Sequence, residues 1–224
     1  MSHAHHTPSR RSFIRTSALG ATSVAIGAAA ATAAAPVADA TAPWPVTPAC
    51  SGHETPAAME GPLFKPNSPE TTQFVTPGTS AGVLLDFTGV VYATDCKPVS
   101  GALLEFWQCD QNGDYDTAGF SLRGHQYSGA DGSYRLSTIV PRDYYGRWGR
   151  RAPHIHTQVQ APGGPVLVTQ LYFPDNTQAY GRNFAELNAG DALINRACTL
   201  ALNPPRGGRY TGRFDFVIKT RGNL

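Results

Sequence analysis

From Gly82 to Lys219 the apolar and β-branched residues come in short runs, and almost none continue at the spacing of a helix. GVLLDFTGVVYA, GALLEFWQC, DGSYRLSTIV, HIHTQVQA, VLVTQLYF and YTGRFDFVIK each suit a strand, with Gly-, Pro- and Asp-containing turns among them. Only NFAELNAGDALINRAC, around 183–198, reads as helical, and its internal glycine predicts a short or broken helix. Strands without regular intervening helices favour an antiparallel sandwich or barrel over a parallel α/β sheet. The expected fold is therefore all-β, an antiparallel β-sandwich core with long loops over 79–219. A Pro-rich arm over 41–78 precedes it, extended because proline removes an amide donor and restricts the residue before it. Residues 220–224 are left as a tail. A chain of 224 residues has room for one substantial domain of this kind.

The N-terminus has a separate character. SRRSFIR at 9–15 leads into an Ala-rich apolar stretch that ends at Ala38-Asp39-Ala40, the form of an export signal. The paired Arg10 and Arg11, with Phe13 two positions on, resemble a twin-arginine signal, so residues 1–40 are expected to engage the Tat export machinery. The stretch is too short and too poor in leucine for a stable membrane anchor. Cleavage after Ala40 leaves 184 residues with 15 basic and 15 acidic groups. A formally neutral chain lacks the concentrated basic surface that nucleic acid requires, so none is expected as a partner. The expected location is exported, either periplasmic or secreted.

Cys50, Cys96, Cys109 and Cys198 form no close C-x-x-C pair, which argues against a zinc knuckle or a thioredoxin-like motif. An oxidising destination permits one or two disulfides, and Cys50 in the arm is placed to tether it. The pairing stays open.

Neither a G-x-S-x-G nucleophile elbow nor a G-x-x-x-x-G-K-[ST] phosphate loop occurs. The chemistry centres on RAPHIH at 151–156. A period of two puts His154 and His156 on one face of a strand, with Ile155 on the other. Taken alone, the pair suits a hydrogen-bonded couple as well as a metal. Tyr115 and Tyr144 lie at strand exits, and a phenolate is a hard anionic donor suited to ferric iron. Its ordinary pKa of about 10 means that the metal's charge must favour ionisation. Zinc sites usually draw on cysteine, histidine and carboxylates, and the facial ferrous site includes a carboxylate.

GALLEFWQCDQNGDYD, DGSYRLSTIVPRDY, RAPHIH and LVTQLYFPD, with PAAMEGPLF upstream, together resemble the intradiol ring-cleavage dioxygenases, the catechol, hydroxyquinol and protocatechuate dioxygenase superfamily. The likeness extends over roughly 55–175. It implies a β-sandwich and a non-haem Fe(III) centre held by two tyrosinates and two histidines, here Tyr115, Tyr144, His154 and His156. Tyr115 closes W-Q-x-x-x-x-G-x-Y. The P-x-x-Y register starting at Pro141 selects Tyr144 over Tyr145 as the ligand displaced by substrate. Arg151 and Gln170 take the positions of the active-site arginine and glutamine. The reaction implied is cleavage of a catechol-type diol by dioxygen, between the two hydroxyl-bearing carbons, to a muconate-type dicarboxylate. Departures are Ala-Pro at 152–153, Leu63 where many relatives have tyrosine, Tyr145 where proline is frequent, and no long helical linker before the core. Trp107 and Phe106 read as packing residues, His53 and His125 as solvent-facing or structural.

Overall fold

The computed structural model describes residues 50–75 and 82–222. The export signal expected at 1–40 lies outside the described residues, as do the junction between arm and core and the last two residues of the tail.

Two sheets face each other. The first is organised around β1 (Leu84–Ala93), and the second begins with β2 (Leu103–Trp107) and β3 (Arg123–Tyr127). β4 (Ser133–Ile139) returns to pair antiparallel with β1. β5 (Tyr144–Gly146) and β6 (Gly149–Arg151) form a small separate hairpin. β7 (His154–Gln160) and β8 (Val166–Tyr172) complete the second sheet in the order β3-β2-β7-β8, antiparallel throughout. Helix α1 (Phe184–Gly190) and a 3₁₀ turn at Arg196–Cys198 follow, then β9 (Ala201–Leu202), β10 (Arg209–Arg213) and β11 (Phe216–Ile218).

The first sheet departs from the expected antiparallel order, because β10 and β11 both run parallel to β1. Parallel neighbours need a long crossover, and between β1 and β10 the chain builds the whole second sheet and the helical segment before it returns. Phe214 and Asp215 interrupt what would otherwise be one strand, and the Phe214 carbonyl comes so close to Gly89 that a Cβ there would collide with it. The expected break in the helix is present: Asn183 caps α1 by accepting from the Glu186 amide at 3.4 Å, and the helix ends at Gly190. β3, the β5–β6 hairpin and β9 carry too little apolar patterning to be anticipated.

The inner faces meet as alternation requires. Leu85, Phe87, Val91 and Leu136 of the first sheet pack against Leu104, Phe106, Ile155 and Leu171 of the second, all buried. Burying each such side chain contributes about 1.5–3 kcal/mol of transfer free energy. Phe87 and Phe106 meet edge to face at 5.9 Å.

The described part of the arm is held to sheet margins by backbone hydrogen bonds: Thr55 donates to Val217, Ala58 to Val168, Thr71 to His125 and Phe74 to Ser137. This covers edges that would otherwise present unpaired groups. A Cys50–Cys96 disulfide tethers its start, while Cys109 and Cys198 are buried free thiols. His125 has a structural role, its Nδ1 lying 2.8 Å from the Ser68 carbonyl, and His53 is exposed.

Candidate active site

The outer face of the second sheet is also buried, but it is built from polar and aromatic side chains. Register fixes their order. His156 sits between Trp107 on β2 and Gln170 on β8, and His154 lies opposite Tyr172. Ile155, between the histidines, points into the core. The Trp107 indole stacks on the His156 ring at 4.9 Å with planes 7° apart, so this packing residue fixes the imidazole plane. His154 Nδ1 is 2.6 Å from the Ala152 carbonyl, to which it donates, so the proton stays on Nδ1 and the Nε2 lone pair is free.

The two tyrosines arrive from different loops. Tyr144 opens β5, and its Oη lies 3.5 Å from His154 Nε2. Tyr115 belongs to a turn stapled on both sides. Asp110 accepts from the amides of Asn112 and Asp114. Asp116 accepts from those of Ala118, Gly119 and Ser121, bonds that hold its carboxyl down to about 2. Gly113, at φ +96°, brings this turn against Tyr144, where a Cβ would lie 3.2 Å from the Tyr144 Cβ. The Tyr115 ring consequently stands edge-on to Tyr144 at 5.5 Å and to His156 at 6.0 Å. Tyr145 is largely exposed at the cavity mouth, whereas Tyr144 is half-buried beside His154.

The donors suit a cation. His154 Nε2 and His156 Nε2 are 3.2 Å apart, and burial followed by neighbouring positive charge lowers His154 to about 4 and His156 well below the usual imidazole range. Both imidazoles are therefore neutral. Burial pushes both phenols up, Tyr115 the further, so ionising them here requires a positive charge alongside. Tyr115 Oη is buried without a hydrogen-bond partner among the described residues. A cation held among these two oxygens and two nitrogens would meet both needs. Among the described residues no group of three or more His, Cys, Asp or Glu side chains is placed to hold a metal, and the phenols are the further donors beside the histidine pair.

Arg151 and Gln170 form the second part of the site. Arg151 donates Nη2 to Gln170 Oε1 at 2.6 Å and Nε to both oxygens of Asp191 at 3.1 and 3.2 Å. Burial is the largest single influence and opposes its charge, but Asp191 together with the Tyr172 and Tyr144 phenols outweighs it and holds the guanidinium pKa above its ordinary value. Gln170 also accepts from Tyr172 Oη at 2.8 Å and donates to the Met59 carbonyl at 2.9 Å, linking sheet to arm.

Asp191 was not legible in the sequence. It is buried directly after α1, where it also accepts from the Ala152 and Leu193 amides, both at 2.9 Å. A carboxylate at a helix C-terminus is unfavourable unless countered, and Arg151 counters it. Forty positions separate the pair, and no local pattern marks the aspartate. Arg123 also escaped sequence reading. It donates to the carbonyls of Asp116 and Leu63, and its guanidinium lies 5.9 Å from the Tyr115 ring centre.

A cavity of about 340 Å³ opens over this assembly. Tyr115, Tyr144, His156 and Arg151 line it, and Met59, Pro62 and Leu63 of the arm form the facing wall. His154 and Gln170 do not line the cavity; they act from behind.

Comparison with known proteins places the chain in a family. A family model described as Dioxygenase matches residues 59–220. Catechol 1,2-dioxygenase 2 of Acinetobacter lwoffii is 33% identical over 138 residues, 52% of this chain and 50% of that protein. Hydroxyquinol 1,2-dioxygenase of Nocardioides simplex is 34% identical over 140 residues, 54% of this chain and 48% of that protein. The chain thus spans about half the length of the curated relatives it matches. Among solved structures, the dioxygenase domain of a dioxygenase–carbohydrate-binding protein fusion from the cellulolytic bacterium Streptomyces sp. SirexAA-E is 46% identical, with a TM-score of 0.66. That match covers 75% of this chain and 99% of the domain. With the matched region enclosing both tyrosines, both histidines and the arginine–glutamine pair, the chain belongs to the intradiol dioxygenase family.

Proposed function

We propose that this protein is a non-haem Fe(III) intradiol dioxygenase. It opens a catechol-type diol between its hydroxyl-bearing carbons, adds both atoms of dioxygen and releases a muconate-type dicarboxylate. The observation that carries this reading is the convergence of two phenols and two neutral imidazoles beneath a cavity that also receives a buried arginine.

Tyr115, Tyr144, His154 and His156 would hold the iron. Its positive charge would keep the phenols ionised and draw electron density from a bound aromatic ring, readying the ring for dioxygen. The protein does the rest by position. Tyr144 is the less buried phenol and lies on the cavity wall, so its Oη is suited to take a proton from an incoming diol and to swing away. Tyr115, deeper and locked by its turn, stays in place. Arg151 presents a fixed cation where negative charge develops on the ring, and Asp191 and Gln170 prevent it from reorienting. Met59 and Leu63 limit water at the reacting face. Residues 1–40 would direct the chain out of the cell by the twin-arginine route, and the Cys50–Cys96 disulfide is in keeping with an oxidising destination.

The test is to load the iron-replete protein with catechol, hydroxyquinol and related diols without oxygen, then admit oxygen and weigh the products. Ring opening gives products heavier than the diol by two oxygen atoms, preceded by a change in the visible band on binding. Absence of oxygen uptake with every diol would refute the proposal. Tyr144→Phe should keep most of the iron while losing turnover.

A further inference from the structure

Five large apolar side chains are conspicuously exposed among the described residues, and three of them, Met59 (40%), Tyr145 (78%) and Trp148 (47%), line the same cavity. Scattered exposed apolar groups are ordinary, but a concentration at one mouth marks a contact surface. Tyr145 and Trp148 belong to the β5–β6 hairpin. Its strands pair Tyr144 with Arg151, so the hairpin is anchored at its base by two groups of the active site. Arg147 and Trp148 occupy its tip, between the paired Gly146 and Gly149, and the Arg147 guanidinium lies 5.9 Å from the indole.

The charges at this rim differ in availability. Arg150 is committed to Asp143, with its Nε and Nη2 within 3.0 Å of one carboxylate oxygen. Arg147 is exposed and has no carboxylate partner among the described residues. Asp114, the acidic residue on the cavity lining, adjoins Tyr115 on a different loop. The cavity volume falls in the range of about 300–1,000 Å³ that accommodates drug-sized ligands, more than a single ring needs.

Building on the function proposed above, we infer that the hairpin tip is a substituent subsite. The favoured substrate is a catechol extended by a flat aryl or conjugated group that lies against Trp148 and ends in an anion facing Arg147. The diol sits on the Tyr144 side and the substituent reaches the mouth, so ring opening and tail recognition use opposite ends of one cavity. Because the tip is exposed, substitutions there leave the packed core untouched.

The probes are catechol, 3′,4′-dihydroxybiphenyl-4-carboxylate and the methyl ester of the latter. Binding to the iron-loaded protein is measured without oxygen, and kcat/KM is measured with it. Trp148→Ala should lower the preference for the biphenyl carboxylate over catechol about 3- to 10-fold in both measurements, the scale of one aromatic contact. Arg147→Gln should lower the preference for the carboxylate over its ester about 2- to 5-fold, as expected for one exposed charge. If wild-type protein opens catechol but Trp148→Ala leaves the first preference unchanged, the subsite is refuted and the dioxygenase reading stands. If wild-type protein opens none of the three, both fall.

Discussion

The two faces of the β3-β2-β7-β8 sheet are equally dry and chemically opposite. On the inner face Phe106, Ile155 and Leu171 fill space and have no polar group to satisfy. On the outer face Trp107, His154, His156, Gln170 and Tyr172 are just as buried, yet carry donors and acceptors that must be matched one by one. The inner face gains stability simply from leaving water. The outer face loses solvation of polar groups and recovers it only in part, through bonds such as those of Gln170, Tyr172 and His154 Nδ1, while Trp107 Nε1 and His156 Nδ1 stay unpaired among the described residues. A single strand, β7, supplies both surfaces by alternation. Burial alone therefore does not separate a core from an active site; the presence of buried polar atoms that call for partners does.

That contrast can be broken most forcefully at the outer face. His156→Ala should abolish stoichiometric iron binding and lower ring-opening activity at least about 1,000-fold, since metal chemistry is worth several kcal/mol. The iron-free form should also lose some stability, because truncating a buried ring that stacks on Trp107 leaves a cavity. Metal analysis beside calorimetry decides, and an iron-replete, active variant would contradict the ligand assignment.

Asp191→Asn comes next, because Arg151 and Asp191 are where the outer face also supports the fold. Removing one charge of a buried pair costs about 4 kcal/mol. Denaturant unfolding should register the loss, and kcat should fall more than KM changes as Arg151 loses its bearing. Asp191→Glu should restore part of kcat. Unchanged unfolding and kcat would mean the pair is dispensable.

Ile155→Ala probes the opposite face of the same strand and should cost about 3 kcal/mol through the cavity it leaves. Folded protein should still bind iron with an unaltered visible band, because the histidines on either side point the other way. A lost band in folded protein would show that the faces are not independent.

The smallest effect concerns thiols. Burial pushes Cys109 up to about 12 and raises Cys198 as well, so at neutral pH both stay protonated in the folded chain. Raising the pH through that value in the folded state would be needed to form the Cys109 thiolate. Alkylation at neutral pH should therefore label neither thiol until denaturant is added, a result that mass spectrometry of the intact chain can read. Rapid labelling of native protein would show that this interior is open to solvent.

Most of the strands were visible in the sequence because a half-buried strand writes its two faces as alternation. β3 was not, since RGHQY is polar and owes its place to pairing with β2 and to the arm crossing over it. The parallel placement of β10 and β11 was equally hidden, because alternation records which face a residue takes and nothing about strand direction. In the site, Tyr115, Tyr144, His154, His156, Arg151 and Gln170 were legible because each sits in a short family motif. Asp191 and Arg123 were not, because their partners are far away in sequence and their own surroundings carry no pattern.

The sequence by itself determined the β character of the chain, the shared face of His154 and His156, and the residue types suited to ferric iron. These follow from local periodicity and donor chemistry. Tertiary structure alone decided that two phenols from separate loops meet those imidazoles, that a buried aspartate steadies Arg151, and that the arm closes one wall of the cavity. Such contacts join segments tens of residues apart, and only the packing of two sheets and the register of their strands brings them within bonding distance.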